Sequence, residues 1–271
     1  MPTPLAATTR MPTVFVGHGS PMNAIEDNQW ARGFAALGQA LPRPRAILAV
    51  SAHWFVDGTR ITGNLAPETI HDFGGFPRPL FEVQYPARGD RDVAERVRTL
   101  LADHEARLDD GWGLDHGTWS VLVHTHPAAD VPVLQLSIDR RLAPAEHVAI
   151  GRALAPLRDE GVLIVGSGNV THNLRHAMHA MQTGDTRRPD WAARFDADVE
   201  AATRQLDPAA LAALAGTADG RMAHPSPDHY LPLLYVAGAA STDDAVTYPI
   251  AGWDLGSLSM RSIAFGMQPV G

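Results

Sequence analysis

The sequence predicts an α/β fold with a largely parallel central sheet flanked by helices, on three observations. Four short apolar runs, rich in β-branched residues, read as strands covered on both faces. Between them lie stretches whose apolar residues recur at helical spacing. The two kinds alternate along the chain, which is the pattern of strand–helix–strand units.

Taken in order, residues 13–16 (TVFV) form the first strand and residues 28–41 (NQWARGFAALGQAL) the first helix. Residues 46–51 (AILAVS) form the second strand, and residues 90–104 a helix of mixed apolar and charged positions. A third strand is expected over 131–138, a helix over 144–157, and a fourth strand over 162–165. The clearest helix covers 190–206 (DWAARFDADVEAATRQL), with Trp191, Phe195, Val199 and Ala202 on one stripe. The segments AVTYPI and SLSMRSIAFGM add one or two strands after the last helix. No low-complexity linker or repeat divides the chain, so residues 1–271 are read as one domain, with 1–10 as a flexible tail.

Composition narrows the chemistry. With 271 residues, 45% of them hydrophobic, the chain is long enough to bury a full core without staples. A formal net charge of -8 without long runs of one sign argues against nucleic acid as a partner. No segment approaches the ~18 apolar residues of a membrane span, and the first residues lack a signal peptide's apolar stretch. The expected location is the cytoplasm. The absence of cysteine excludes disulfides, thiolate metal sites, iron–sulfur clusters and a cysteine nucleophile. Thirteen histidines stand out, and any transition-metal site must be built from imidazole and carboxylate.

Other signatures are missing. There is no GxGxxG opening a helix, no Walker-type loop and no HExxH. GHGSP is not a nucleophile elbow, and Ser167 in VGSGN follows a strand without that elbow's spacing.

The histidines fall where strands end. TVFVG runs into His18, AILAVSA into His53, and VLIVGSGNVT into His172. In open α/β sheets the carboxyl edge of the strands is where ligands bind. A single histidine after a strand is ordinarily a hydrogen-bonding residue, but core packing gives no reason to repeat the placement. His229, in HPSPDHYLPLL, belongs in a polar loop at or just before a helix start, because Pro232 fits only a first turn. His116 lies in a glycine-rich turn between Trp112 and Trp119. The glycines around His18 would let a metal approach the strand end closely. His104 and His147 read as helix-surface residues, His124 and His126 as strand-face positions, and His176 and His179 as part of a helix after His172. Trp54, Trp112 and Trp119 are candidate pocket walls.

Six motifs in order, GHGSPMNAI, SAHW, TIHDFGGFP, LDHGTWSVL, GSGNVTHNL and PDHYLPLLYVAGAA, resemble the class III extradiol ring-cleavage dioxygenases. More narrowly, they resemble the 4,5-DOPA-extradiol-dioxygenase branch, over nearly the whole chain. The resemblance implies a single catalytic domain that inserts O2 into the ring of a small catechol to give a ring-opened semialdehyde. It implies that His18, His53 and His229 hold the metal. His172 would be the acid–base residue beside it, near enough to serve as a fourth ligand without substrate, and His116 would sit behind the ligands or touch the substrate's oxygens. Fe(II) is the cofactor expected for activity, and a three-histidine site with an open position is also attractive to Zn(II). Many extradiol enzymes have a glutamate as third ligand; here the motif aligns at His229, with Asp228 as the alternative. A zinc hydrolase using the same histidines, or a non-catalytic binding protein of the same fold, are the rival readings. Nothing in the sequence sets an oligomeric state.

Overall fold

A computed structural model of the protein describes residues 10–267; the tail expected over residues 1–10 lies outside them, except for Arg10. Strands β1 (Thr13–Gly17), β2 (Ala46–Val56), β3 (Arg60–Thr62), β4 (Arg107–Asp109), β5 (Val133–Asp139), β6 (Val162–Gly168) and β7 (Val246–Ile250) belong to the main sheet. Two-residue strands β8 (Trp253–Asp254) and β9 (Leu258–Ser259) pair with each other, and β10 (Ser262–Phe265) returns to the main sheet. Its eight strands run in the order β4-β3-β5-β2-β6-β1-β10-β7. The centre, β5-β2-β6-β1, is parallel throughout. Antiparallel pairs join β10 to β1 and β7 on one side, and β3 to β5 on the other.

Both faces of the central strands are buried, as their continuous apolar character requires. Val14 and Val16 pack on one face with Leu163 and Val165, while Phe15 packs on the other with Leu48, Val50 and Ile164. The helix Asp190–Arg204 lays Phe195, Val199 and Ala202 into the second of these cores, with Trp191 at its margin. Helices Gln29–Ala40 and Arg91–Leu100 start one residue after Asn28 and Asp90, whose side chains accept two backbone N–H groups each.

Four expectations change. Residues His116–Thr125 are a helix, not a turn followed by a strand, so His124 and His126 are not strand-face residues. Nearly every side chain of that helix is buried, and a helix covered on all sides shows no amphipathic stripe to read. His147 is fully buried, not on a surface, because the helix Leu231–Ala239 lies against its own helix and Tyr235 Oη meets its Nδ1 at 2.9 Å. Strand β2 continues past residue 51 to Val56, with a register shift against β5 between Val50 and Phe55. His53 therefore stands inside the strand where that shift occurs. Pro232 does occupy the first turn of the helix Leu231–Ala239. His229 precedes it in a 3-10 turn, Pro227–His229, but is buried there and not in an open polar loop.

Register brings the strand ends level. Val16 of β1 and Ser51 of β2 both pair with Ser167 of β6. The residues just beyond this row share one crevice at the carboxyl edge of the sheet.

Candidate metal centre

His18 follows β1 directly and is 2% exposed. Its backbone N–H donates to Gly168 O at 2.9 Å, which extends the β1–β6 ladder by one bond and fixes the residue. The flanking glycines have a different cause from a metal's approach. A Cβ at Gly17 would lie 2.8 Å from the backbone carbon of Met260, and Gly19 has φ +63, a left-handed conformation that favours glycine. They make room for the chain leading into β10.

Ser167 sets the state of the His18 ring. Its hydroxyl donates to Gly117 O at 2.5 Å, so toward His18 Nδ1, at 2.9 Å, its oxygen can only accept. His18 therefore carries its proton on Nδ1 and leaves Nε2 bare. That Nε2 faces Nε2 of His53 at 3.4 Å. Two imidazole nitrogens, each about 2.0–2.1 Å from one ion, are about 3.0–3.4 Å apart, so this pair has the spacing of shared ligands.

Asp72 comes from the loop before the helix Arg78–Phe81 and stands behind two rings. Its Oδ2 is 3.4 Å from His53 Nδ1, and its Oδ1 accepts the backbone N–H of His116 at 2.9 Å. His116 Nδ1 also lies 2.9 Å from Oδ1, but without the alignment of a hydrogen bond. His116 is the first residue of its helix, whose cap is Asp115, a fully buried carboxylate. Asp115 accepts from Ser51 Oγ at 2.6 Å and Gln135 Nε2 at 2.7 Å, tying the helix start to β2 and β5. Burial first, then the charge of Asp72, raises its pKa to about 6.

On the opposite side, His229 Nδ1 is hydrogen-bonded to Asp228 Oδ2, while Ser226 Oγ donates to Asp228 Oδ1. Asp228 thus holds His229 through one oxygen and is itself held by Ser226 through the other. A carboxylate on Nδ1 holds the proton there and leaves Nε2 for an ion. His172 lies four residues beyond β6, anchored by its N–H to Ala223 O, and its ring stacks on His229 at 3.5 Å with 3° between planes.

The structure brings all five candidate histidines together. Rings of His18, His53 and His229 form a nearly equilateral triangle, with centroids 5.2, 5.2 and 5.1 Å apart. His116 packs on His53 at 3.8 Å and lies 6.0 Å from His18. By donor atoms, the compact group is His18, His53 and His116, whose ring nitrogens lie within 4.8 Å of one another. Burial, followed by mutual repulsion, holds His18 and His229 well below the usual histidine pKa. The same causes lower His53 to about 3, and burial lowers His172 to about 4. A cluster of neutral imidazoles that resists protonation and has no thiolate fits a divalent transition metal.

Beside the rings opens a cleft of about 750 Å³, lined by His172, His229, Arg175, His176 and Met222 among others. The tryptophans are elsewhere: Trp54 is buried and stacks on Trp112 at 5.2 Å, and Trp119 is buried with its Nε1 on Ile70 O. Phe73 is the aromatic residue against His116, at 5.3 Å. Sequence reasoning missed Ser167 as a partner of His18, and Asp72 and Asp115 as the carboxylates behind His53 and His116. Asp72 and Asp115 each immediately follow or precede a histidine inside a quoted motif, which was the available signal.

Comparison with known proteins supplies the family. Residues 6–256 match the family model of the catalytic LigB subunit of aromatic ring-opening dioxygenase. The chain is 47% identical over 266 residues to a 4,5-DOPA dioxygenase extradiol of Escherichia coli (strain K12), covering 97% of each. It is 37% identical over 260 residues to a 4,5-DOPA dioxygenase extradiol of Beta vulgaris, covering 93% of this chain and 96% of that one. The crystal structure of uncharacterized protein JW3007 from Escherichia coli K12 matches with a TM-score of 0.81 at 43% identity, covering 95% of this chain and all of that one. Histidines gathered at one sheet edge, on a chain whose residues 6–256 match the family model, place this protein in the LigB family of extradiol aromatic ring-cleaving dioxygenases.

Proposed function

We propose that the protein opens the ring of a small, DOPA-like catechol beside its two hydroxyls, at Fe(II) held by His18, His53 and His229. The observation that carries this ligand set is the equal spacing of the three rings, each with an oxygen partner at its Nδ1: Ser167, Asp72 and Asp228. We prefer His229 to His116 as third ligand, although His116 belongs to the tighter group of nitrogens. His116 rests on the His53 ring, whereas His229 stands equally far from both others. The names of the relatives supply the substrate class.

Bound there, Fe(II) supplies a Lewis acid for the two catechol oxygens and the electron path between ring and dioxygen. Three neutral imidazoles leave the ion's double charge undiminished for a catecholate. His172 takes the proton from a catechol hydroxyl oxygen and returns it as the ring opens. A buried ring with a pKa near 4 is a free base at neutral pH, the state this first step requires. We assign it no ligand role, because lone pairs lie in the ring plane. Two parallel rings 3.5 Å apart cannot both hold one ion in their planes. His116, held beside Asp72, is placed to donate to a substrate oxygen. Both atoms of O2 end in the product, as an aldehyde and a carboxylate.

Metal-free protein is reloaded separately with Fe(II) and Zn(II), and oxygen uptake and a yellow ring-opened product are followed with a panel of catechols. Uptake is expected with Fe(II) alone, lost in His18→Ala and reduced roughly 10²–10⁴-fold in His172→Ala, the usual span of acid–base catalysis. Silence across the panel with Fe(II) verified in the protein overturns the proposal.

A further inference from the structure

We infer that Arg175 is the specificity residue of the cleft: it binds a carboxylate on the side chain of the catechol, and this rests on the ring-cleavage reading above. Arg175 lies three residues beyond His172, in the first turn of the helix Leu174–Thr183, and lines the same cleft as His172 and His229. Its guanidinium is exposed and has no hydrogen-bond, ion-pair or ring partner among the described residues. Most arginines of this chain are engaged: Arg140, Arg187, Arg194 and Arg261, for example, each hold an aspartate through two nitrogen–oxygen contacts or a fork. On a protein of formal net charge -8, an unpaired arginine beside the reacting histidines is an unused anion site.

Its surroundings agree. Asp228 is the only carboxylate among the described residues lining the cleft, and both of its oxygens are occupied by His229 and Ser226. It therefore does not claim Arg175. The cleft's volume of about 750 Å³ lies within the roughly 300–1,000 Å³ of small-molecule sites. That leaves room for more than a bare catechol ring. With the diol edge directed at the histidine triangle, a side chain on the far edge of the ring points along the cleft wall that carries Arg175. The planar guanidinium matches a carboxylate with two parallel N–H···O bonds, which an amide or ester cannot accept with the same charge. Arg175 is not assigned a part in the chemistry itself.

The test is binding without turnover. Full-length protein loaded with Fe(II) is titrated anaerobically with two probes: a catechol bearing a propionate side chain, and the same catechol with that carboxylate converted to a primary amide. Wild type is expected to prefer the acid roughly 10-fold, the lower end for a charge-assisted hydrogen bond at an exposed site. That preference shrinks as salt screens the pair. In Arg175→Gln the acid-to-amide ratio falls to about one, and Arg175→Lys, which keeps the charge but not the fork, retains an intermediate ratio. Equal affinity of wild type for both probes, or a ratio unchanged in Arg175→Gln, overturns the inference and leaves ring cleavage standing. Binding of neither probe to protein with verified metal overturns the catechol reading and this inference with it.

Discussion

Replacing Ser167 with alanine separates the fold from the metal site, because the serine hydroxyl serves both. In the metal-free protein its loss removes the second hydrogen bond to the Gly117 carbonyl, accepted at 2.5 Å in a buried place, while that carbonyl keeps its bond within the helix His116–Thr125. His18 can avoid an unsatisfied N–H by moving its proton from Nδ1 to Nε2, where His53 Nε2 accepts at 3.4 Å. Stability should therefore fall by only about 0.5–1.5 kcal/mol, the net worth of one hydrogen bond. Metal binding removes the escape, since Nε2 must then be bare and the Nδ1–H is left without an acceptor. That unsatisfied donor appears as lost affinity, roughly 10–100-fold, the range found when a partner behind a ligating histidine is removed. Urea unfolding of metal-free protein gives the first quantity, and titration against a competing chelator gives the second. A Ser167→Ala protein that is destabilised yet binds metal with wild-type affinity would refute the tautomer argument, and with it the assignment of Nε2 as the ligand atom of His18.

Two further outcomes follow from the site and its surroundings. His229→Ala should lose bound metal, whereas His116→Ala should retain it and lose turnover; metal content after gel filtration distinguishes them, and the reverse result would transfer the third ligand to His116. Metal-free protein should be acid-labile. Burial first holds both His147 and His224 at a pKa of about 4, below the usual 6.5 that each has when unfolded. Between these values the unfolded chain binds more protons than the folded one. Stability is thus full above pH 6.5 and is lost as pH falls toward 4, by about 1.4 kcal/mol per pH unit for each histidine. Unfolding midpoints of wild type and His147→Gln across that window measure the share of one ring, and parallel curves would contradict it.

The parallel centre of the sheet was legible because β1, β2, β5 and β6 are buried on both faces, and strands so placed are apolar without interruption. Helices with one wet face, such as Asp190–Arg204, were legible for the complementary reason. The helix His116–Thr125 was not, since burial all round erases the periodicity that identifies a helix. Strands β3 and β4 have three residues each and carry too little pattern to stand out. The sequence by itself determined which residue types could form the site: with no cysteine, a metal had to meet imidazole or carboxylate, and the histidines after β1 and β6 and toward the carboxyl end of β2 marked the edge where it would do so. Only the tertiary structure decided which oxygens stand behind them. The Ser167 contact to His18 spans 149 positions of chain, and the contacts of Asp72 to His53 and His116 join a loop to a strand and a helix. Such pairings depend on strand order and register, which bring distant residues within 3.4 Å and leave no local pattern in the sequence.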